Sequence, residues 1–523
     1  YGDGTESRFE AASQRKLYVK LERGQFSALF GDFNTGLSVA ELARYERRFN
    51  GVQSQYIGKR ATYNVFAAES DQSFQRDDIP GDGTSGLYQL SSQDILINSD
   101  SIRIETRDRF NASQVLETQR LTRFVDYDID YFAGTLFFKR PVPSRDQNLN
   151  PLVIVAEYES RNAADDDVVA GGRAALRFAD GDVEIGATMV RENNVVDANQ
   201  MVGVDFRWQM TDETLLRAEY ADTDTADLNA TTSGYAYKVA LEHRSGDLDA
   251  RRVHELSDSG FGLGQQAANQ IGIQNSMLEA RWQLAERWFI QSTLGYQENL
   301  DNGNERQLAE AEVRYEADRH SAFLGVSSVR DETTDGEERE SQLLRAGVSR
   351  QLFGNKLTLR LTTEQALSNS DASLDFPART LVGADLNLGK AILFAEHEFA
   401  EGENIDAQTS RLGLRATPWQ RAQFTTTLDN QITEFGPRLF ANLGFVQGWQ
   451  ISERWTVDVG VDHSNTLTDV DAVVFDDDRE LASGSLRSDF VAGYVGALYQ
   501  SDFWSMNSRI EHRNADDETR DTV

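Results

Sequence analysis

The chain has 523 residues, no cysteine, and 52 basic against 85 acidic residues, which gives a formal net charge of −33. This balance argues against nucleic-acid binding, because phosphate contacts need a basic surface. The lack of cysteine excludes disulfides, thiolate metal ligands and cysteine nucleophiles. No run of about 18 apolar residues is present, so the sequence predicts no transmembrane helix.

The first seventy residues contain four predicted strands, at about 16–21, 26–33, 42–57 and 61–70. Short turns at 22–24 and 58–60 separate the strands within each pair. Asn50-Gly51 lies inside the third strand, where we expect a glycine bulge that keeps the alternation intact. Residues 1–70 are therefore predicted to form the first strands of a larger sheet.

Residues 71–160 differ in sequence pattern from the segments on either side, because short apolar runs alternate with turns rich in Gly, Asp and Pro. The clearest unit, 125–139, reads as a strand, a turn at Ala133-Gly134 and a second strand. A third strand follows at 152–158. We interpret this segment as a separate β-rich insert.

Strict alternation with period two then continues from a polar linker at 161–167 to residue 513. In the hairpin 276–297, Leu278, Trp282 and Ile290 share one apolar face while charged and polar residues occupy the other. The same pattern places Val313 and Leu359 on the apolar face. Residues 161–523 are predicted to be the remaining strands of an outer-membrane-type barrel, with this apolar face toward lipid.

The connections also indicate a barrel, since short turns alternate along the chain with longer loops rich in Asp, Glu, Asn and Gly. All seven tryptophans lie within a few residues of the short turns, as expected for a girdle at one membrane interface. The predicted fold is all-β: a large, closed, antiparallel transmembrane barrel of about 24–26 strands with a small β-rich insert. A soluble β-rich surface protein is the alternative.

Motifs that carry chemistry are not found. The six histidines lack metal-site spacing, and Asp126, Asp128 and Asp130 share a strand face without an EF-hand loop. The acidic run 476–478 is interpreted as a solvated loop. The glycine clusters at 31–32, 81–86 and 260–264 lack a phosphate-loop context. We therefore expect no catalytic residues, no cofactor-binding residues, no metal ligands, and no enzymatic activity.

Several segments of residues 26–160 resemble a known family: Gly31-Asp32-Phe33, the strand at 45–56, 85–88, 102–108 and 126–137. They are similar to segments of the large translocon barrel of the type IX secretion system and of long proteobacterial surface proteins that end in such a barrel. Chaperone-usher pores are a second analogy, because they also interrupt a large barrel with a β-rich plug. The resemblance implies an outer-membrane barrel that serves export or surface display.

We expect this barrel to reside in the bacterial outer membrane, in contact with lipid and lipopolysaccharide. Its function is predicted to be a pore or export channel, porin-like in form, or the membrane anchor of a larger surface protein. The alternative is a β-rich adhesion or structural protein without a pore. An exported protein and a periplasmic or lipoprotein partner are the candidate binding partners. The acidic end after residue 516 reads as an excerpt of a longer protein.

The insert is predicted to leave the barrel on the long-loop side. Counting strands from the turn at 58–60, strand 61–70 runs toward the long loops and strand 168–178 runs back. A barrel of this width would leak without occlusion. We expect the insert to fold into the mouth as a plug, with a free external domain as the alternative.

Overall fold

The computed structural model describes residues 19–70, 72–81, 88–97, 99–108, 114–123, 126–138, 142, 146, 150–161, 167–193, 198–227, 230–263, 270–367, 376–402, 405–433, 436–468, 489–501, 505–515 and 519–522. The regular structure in these ranges is β-strand, apart from one short 3-10 turn at Ala179–Gly181. None of the described residues forms a helix long and apolar enough to cross a membrane.

The strands are numbered in chain order. They are β1 (Val19–Arg23), β2 (Phe26–Asn34), β3 (Arg48–Ile57), β4 (Ala61–Ser70), β5 (Gln72–Pro80), β6 (Tyr88–Gln89), β7 (Ser101–Arg107), β8 (Val115–Arg120), β9 (Tyr127–Asp130), β10 (Thr135–Phe138), β11 (Leu152–Arg161), β12 (Asp167–Phe178), β13 (Val183–Asn193), β14 (Ala198–Thr211), β15 (Thr214–Asp227), β16 (Ala230–Arg244), β17 (Leu248–Ser257), β18 (Ile273–Ala285), β19 (Trp288–Asn299), β20 (Glu305–Ala317), β21 (His320–Glu332), β22 (Glu338–Leu352), β23 (Leu357–Ala366), β24 (Ala378–Asn387), β25 (Ala391–Gly402), β26 (Ile405–Ala416), β27 (Ala422–Thr433), β28 (Gly436–Gln450), β29 (Trp455–Thr468), β30 (Phe490–Gln500), β31 (Ser505–Ala515) and β32 (Thr519–Thr522).

Twenty-five of these strands form one large antiparallel sheet. Each strand pairs with its neighbours in the chain, except that β4 pairs directly with β12 across the insert. The predicted all-β fold, with one large antiparallel barrel sheet of about 24–26 strands, is confirmed. Among the described residues the ladder runs from β1 to β32, and no pair joins those two end strands. Closure of the barrel therefore stays a prediction.

The insert comprises two smaller sheets, one in the order β5-β11-β7-β8 and one in the order β6-β10-β9. Its last strand extends to Arg161, one residue beyond the predicted boundary. The turn at Ala133-Gly134 joins β9 to β10, and Gly134 has a φ of 66°, in the left-handed region that favours glycine. Because β4 ends and β12 begins at the same edge of the large sheet, the insert emerges opposite the short turns.

The two edges of the large sheet differ in their connections. Tight turns such as 212–213, 286–287 and 318–319 lie at one edge, here called the turn edge. The loops 35–47, 300–304 and 333–337 lie at the opposite edge, here called the loop edge. Six tryptophans lie at or beside the turn edge: Trp208, Trp282, Trp288, Trp419, Trp449 and Trp455. Trp504 falls outside the described residues.

The two faces of the large sheet also differ. The five residues predicted to contact lipid share one face, called the outer face, because cross-strand pairs align Trp282 with Ile290 and Ile290 with Val313. Leu278, Trp282 and Val313 are 40%, 51% and 41% exposed. Leu359 lies on this face as well. The residues between them in sequence form the opposite, inner face, which is rich in charge.

Two local predictions are wrong. Strand β3 begins at Arg48 and not at residue 42, because the segment before it folds inward and buries Tyr45 against Phe66. The predicted bulge at Gly51 is absent, since Gly31 pairs with Gly51 and the register is regular on both sides. Glycine serves close packing there, because a Cβ would lie 2.3 Å from the carbonyl oxygen of Ala67.

Candidate functional site at the inner face of the barrel

Ion pairs cover the inner face of β20 to β25. Arg345 on β22 lies between Glu310 on β20 and Glu364 on β23, with its Nε 3.2 Å from a Glu364 oxygen. Arg379 on β24 lies 3.8 Å from Glu364 and 3.6 Å from Glu398 on β25. Alternation explains this arrangement, because every second residue of each strand points to the same face.

A second group of ion pairs continues the charged surface across β23 to β27. Arg360 pairs with Asp385 and places Nη2 2.9 Å from Glu396. Arg411 contacts the same Glu396 at 3.8 Å and binds Asp429 at 2.7 Å. Adjacent strands thus present opposite charges to each other. A wall of this kind suits a polar lumen and not a packed apolar core.

Residues Thr35–Arg47, between β2 and β3, form a segment called the inner loop. Its two ends are held together, since the Thr35 amide donates to the Arg47 carbonyl at 2.9 Å and the Thr35 hydroxyl donates to the Tyr45 carbonyl at 2.7 Å. The Tyr45 amide donates to the Leu37 carbonyl at 2.8 Å. Gly36, with a φ of 63°, starts the turn. These bonds make the inner loop a compact unit.

The inner loop buries its apolar side chains against the inner face at the loop edge. The Tyr45 ring stacks on Phe49 and Phe66 with centroid distances of 6.4 and 6.0 Å. Ala43 lies so close to Gly203 on β14 that a Cβ at Gly203 would be 2.6 Å from the Ala43 Cβ. One buried cluster unites these residues with β4 and β12 to β16: Leu29, Phe33, Leu37, Ala40, Ala43, Tyr45, Phe49, Phe66, Ala68, Val169, Val190, Met201, Ala221, Ala236 and Phe261.

Arg47 joins three parts of the molecule. Its guanidinium binds Glu159 on insert strand β11 in a bidentate pair, with Nε and Nη2 at 2.9 and 2.6 Å. Its Nη1 lies 2.8 Å from Glu192 on barrel strand β13, which also accepts a hydrogen bond from the Tyr45 hydroxyl. The side chains of Arg47 and Glu159 are 3% and 5% exposed. We call Tyr45, Arg47, Glu159 and Glu192 the Arg47 clamp.

Burial shapes the protonation of the clamp. It raises the pKa of the Glu159 carboxyl, although Arg47 acts in the opposite direction. It also raises the pKa of the Tyr45 hydroxyl well above its ordinary value, so Tyr45 stays a neutral donor. Arg47 remains charged, because a guanidinium keeps its proton in proteins. The clamp is thus a buried cation shared between two carboxyl groups.

A second contact fixes the inner loop to the barrel wall. The amides of Glu41 and Leu42 both donate to one oxygen of Glu219 on β15, at 2.8 and 2.9 Å. The Glu41 carboxylate binds Lys238 on β16 at 2.6 Å, and Lys238 reaches Glu255 on β17 at 3.1 Å. Burial would raise the pKa of Glu41, but Lys238 outweighs it and holds that pKa below its usual range.

The insert presents its own charged surface to the barrel. On its four-stranded sheet, Arg103 pairs with Glu157 and Glu105, both at 2.8 Å. The Gln114 amide donates to Glu279 on the inner face of β18 at 2.7 Å. A cavity of about 740 Å³ separates this sheet from the inner loop and from β16 to β18. The insert therefore contacts the inner face directly at β18, and it contacts the inner loop, whose Arg47 reaches β13.

The residues considered for chemistry are not brought together. Asp126 accepts the Thr122 amide at 2.8 Å, and Asp130 accepts the amides of Phe132 and Ala133 at 3.0 and 2.9 Å. Both carboxylates thus stabilise turns, while the run 476–478 lies outside the described residues. No group of three His, Asp or Glu side chains in the described ranges is placed to hold a metal ion.

The Arg47 clamp was not predicted from the sequence. Arg47 and Glu159 are 112 residues apart, and Arg47 and Glu192 are 145 apart. An arginine inside an alternating segment gives no sign of such distant partners. The one signal present is the charged run Glu46-Arg47-Arg48 between Tyr45 and Phe49, in a segment that we interpreted as strand.

Replacement of Tyr45 by phenylalanine tests the contribution of the clamp hydroxyl. Because a hydrogen bond to a charged group contributes about 1.5–3 kcal/mol, we expect Tyr45→Phe to lower the free energy of unfolding by about that amount in urea titrations. The Tyr235→Phe variant is the control, since Tyr235 is exposed on the outer face and its hydroxyl has no hydrogen bond to a described residue. Equal stability of both variants would contradict the assignment.

Several solved structures are similar to part or most of this chain. A chain of the Escherichia coli P pilus tip assembly intermediate PapC-PapD-PapK-PapG is similar with a TM-score of 0.41 and 11% identity, covering 85% of this chain and 52% of the other. The P pilus usher (PapC) translocation pore has a TM-score of 0.40 and 10% identity, covering 83% and 86%. The ferric enterobactin receptor PfeA of Pseudomonas aeruginosa has a TM-score of 0.39 and 9% identity, covering 87% and 79%.

At these TM-scores and identities the similarity supports no statement about the family or function of this chain. It concerns outer-membrane barrels in general, and it adds no support for the narrower resemblance to the type IX translocon. No protein-family model matches the sequence, and no curated protein matches it.

Proposed function

We propose that this chain is an outer-membrane β-barrel that forms a channel, and that the insert plugs its lumen. One observation carries the proposal: the sheet has an exposed apolar outer face and a charged inner face, and the insert is bound to the inner face. An apolar face exposed over so many strands fits contact with lipid. The charged inner face fits an aqueous lumen.

The described contacts that tie the plug to the wall are hydrogen bonds and ion pairs, which a movement of the plug can break. The Gln114–Glu279 hydrogen bond joins the insert directly to the barrel. The Arg47–Glu159 pair joins them indirectly, because Arg47 of the inner loop also contacts Glu192 on β13. A polar linker, residues 162–166, precedes β12. Transport through the barrel would then require the insert to shift.

The size of the barrel and the sequence resemblance support one class of cargo, an exported polypeptide. A closed barrel of 25 strands would enclose more space than its own side chains fill. Residues 26–160 resemble the type IX secretion translocon, which favours export of a polypeptide. A membrane anchor for a larger surface protein is the second function, and its lumen would stay closed. Neither function assigns a catalytic role to any residue.

Deletion of the insert tests the channel. Ser70 and Asp167 are paired in the β4–β12 ladder, so a short turn can join them when residues 72–161 are removed. In planar bilayers we expect the complete chain to be nearly insulating and the deletion variant to conduct. The reason is that the deletion removes the side chains that the insert places against β18 and against Arg47 of the inner loop.

Two results would contradict the proposal in different ways. An insulating deletion variant that is folded and inserted would favour the anchor over the channel. Recovery of the complete chain in the soluble fraction without detergent would favour a soluble β-rich protein and would reject the barrel in the membrane.

A further inference from the structure

One charged side chain stands apart on the apolar outer face. Arg252 is an exposed residue of β17, and its cross-strand neighbours on the same face are Leu241 and Leu278. Both leucines are 40% exposed. No hydrogen bond or ion pair joins Arg252 to any residue that the structure describes. A guanidinium here faces the surroundings of the barrel without a protein anion.

The position of Arg252 along its strand is also unusual. It is four residues from Leu248 at the turn edge and five from Ser257 at the loop edge. The other outer-face arginines in the described ranges lie within two residues of a strand end: Arg23, Arg48, Arg191, Arg330 and Arg350. Arginines at strand ends reach water, whereas Arg252 lies in the apolar band, where charge is costly.

Three polar side chains lie beside Arg252 toward the loop edge. The His254 ring is 2.6 Å from the Ser276 hydroxyl through Nδ1 and 3.1 Å from the Tyr237 hydroxyl through Nε2. Ser276 pairs directly with His254 across the strands. His254 is about 20 Å along β17 from Leu248, since a strand rises about 3.3 Å per residue. We call Tyr237, Arg252, His254 and Ser276 the Arg252 patch.

We propose that the Arg252 patch binds the phosphate of a lipid headgroup on the outer surface of the barrel. This inference rests on the proposed function, because it requires the outer face to lie in a membrane. Arginine binds phosphate through two parallel hydrogen bonds. The Arg252 side chain is long enough to carry its guanidinium toward the level of His254 while its stem stays in the apolar band.

The surroundings of the patch favour a lipid over a protein carboxylate. Leu241 and Leu278 flank Arg252, and Val239 and Leu294 extend the exposed apolar surface further to each side. Acyl chains below a phosphate would cover these side chains while the headgroup meets Arg252. A neutral imidazole has one donor and one acceptor nitrogen, so one of the Tyr237 and Ser276 hydroxyls donates to His254 and the other, which accepts from the ring, keeps its proton for a phosphate oxygen.

Lipid retention by single-site variants tests the site. The complete chain and its Arg252→Leu variant are reconstituted in phosphatidylcholine vesicles that contain diphosphoryl lipid A, extracted in detergent, and examined by native mass spectrometry. We expect the wild type to retain lipid A over phosphatidylcholine. Retention by Arg252→Leu should be about five-fold weaker, as for the loss of one basic residue at an anionic membrane, and Arg252→Lys should restore part of it.

The neighbouring residue provides the matched control. Arg251 points to the inner face and lies 3.7 Å from Glu279, so Arg251→Ala should leave lipid retention unchanged. Dephosphorylated lipid A should be retained weakly by every variant, and inorganic phosphate alone should not occupy the site.

Three outcomes would overturn the inference. Equal retention by the wild type and Arg252→Leu would remove the lipid site while the barrel proposal stands. Loss of a co-purifying protein from Arg252→Leu, with lipid retention unchanged, would assign the patch to a protein partner. Failure of the wild type to float with the vesicles would reject the membrane barrel and, with it, this site.

Discussion

Replacing Arg47 with alanine is expected to release the insert from the barrel wall and to open the lumen. The change leaves two carboxyl groups, Glu159 and Glu192, without the cation that they share. Removal of one partner from a buried ion pair costs about 3–5 kcal/mol, because the remaining charge is uncompensated. We expect β11 to separate from the inner loop and planar-bilayer conductance to rise from near zero.

Arg44→Ala is the control for this prediction. Arg44 belongs to the same inner loop and pairs with Glu46 at 2.6 Å, but the two side chains are 41% and 34% exposed. A pair as exposed as this contributes about 0–1 kcal/mol, so conductance and protease resistance should stay close to wild type. An Arg47→Ala variant whose insert resists limited proteolysis as well as the Arg44→Ala variant would show that Arg47 does not hold the plug.

The second large effect concerns the outer face. We expect Leu324→Arg to impair insertion of the barrel into bilayers. Leu324 is 58% exposed on β21 and lies four residues from the turn-edge end of that strand. An arginine near the bilayer midplane of a barrel costs about 2–4 kcal/mol. The folded fraction after urea-driven refolding into vesicles, measured by heat-modifiable migration, should fall accordingly.

The same substitution on the inner face provides the comparison. Gln291 lies on β19 between its two cross-strand partners, Glu312 and Arg281, so Gln291→Arg introduces the charge on the polar inner face, beside one carboxylate and one cation. We expect it to refold nearly as well as the wild type. If Leu324→Arg refolds as well as Gln291→Arg, the two faces do not meet different solvents, and a soluble β-rich protein becomes the better description.

These two experiments separate the plug from the membrane barrel. Arg47→Ala acts on contacts between the insert and the wall, whereas Leu324→Arg acts on contacts with the surroundings. A released insert without conductance would favour the membrane anchor, because the lumen would then be closed by something other than residues 72–161. Conductance that appears only on release would favour the gated channel.

The alternation of side chains was sufficient to predict the architecture. Leu278, Trp282 and Val313 could be assigned to one face because side chains alternate between the two faces of a strand. The pairing of neighbouring strands in the structure agrees with this assignment. The short turns and the tryptophans beside them are also local signals. Trp282 and Trp288 flank a turn of two residues, so their common edge follows from the sequence.

Local signals failed where a segment exchanges strand pairing for burial. Residues 42–45 alternate like a strand, yet they form part of the inner loop, because Tyr45 gains ring contacts with Phe49 and Phe66 and a bond to Glu192. Gly51 was interpreted as a bulge because a glycine inside a predicted strand is a local signal for one. Its role, which is to let neighbouring strands approach, depends on Ala67 of the next strand.

The candidate site was decided by the tertiary structure alone. Folding brings Arg47, Glu159 and Glu192 within hydrogen-bond distance although more than a hundred residues separate Arg47 from each partner. The face that a charged residue of an alternating segment occupies can be predicted from the sequence, because the period of the strand determines it. The partner of that residue cannot be predicted in the same way, because it depends on how the insert, the inner loop and the barrel wall pack against one another.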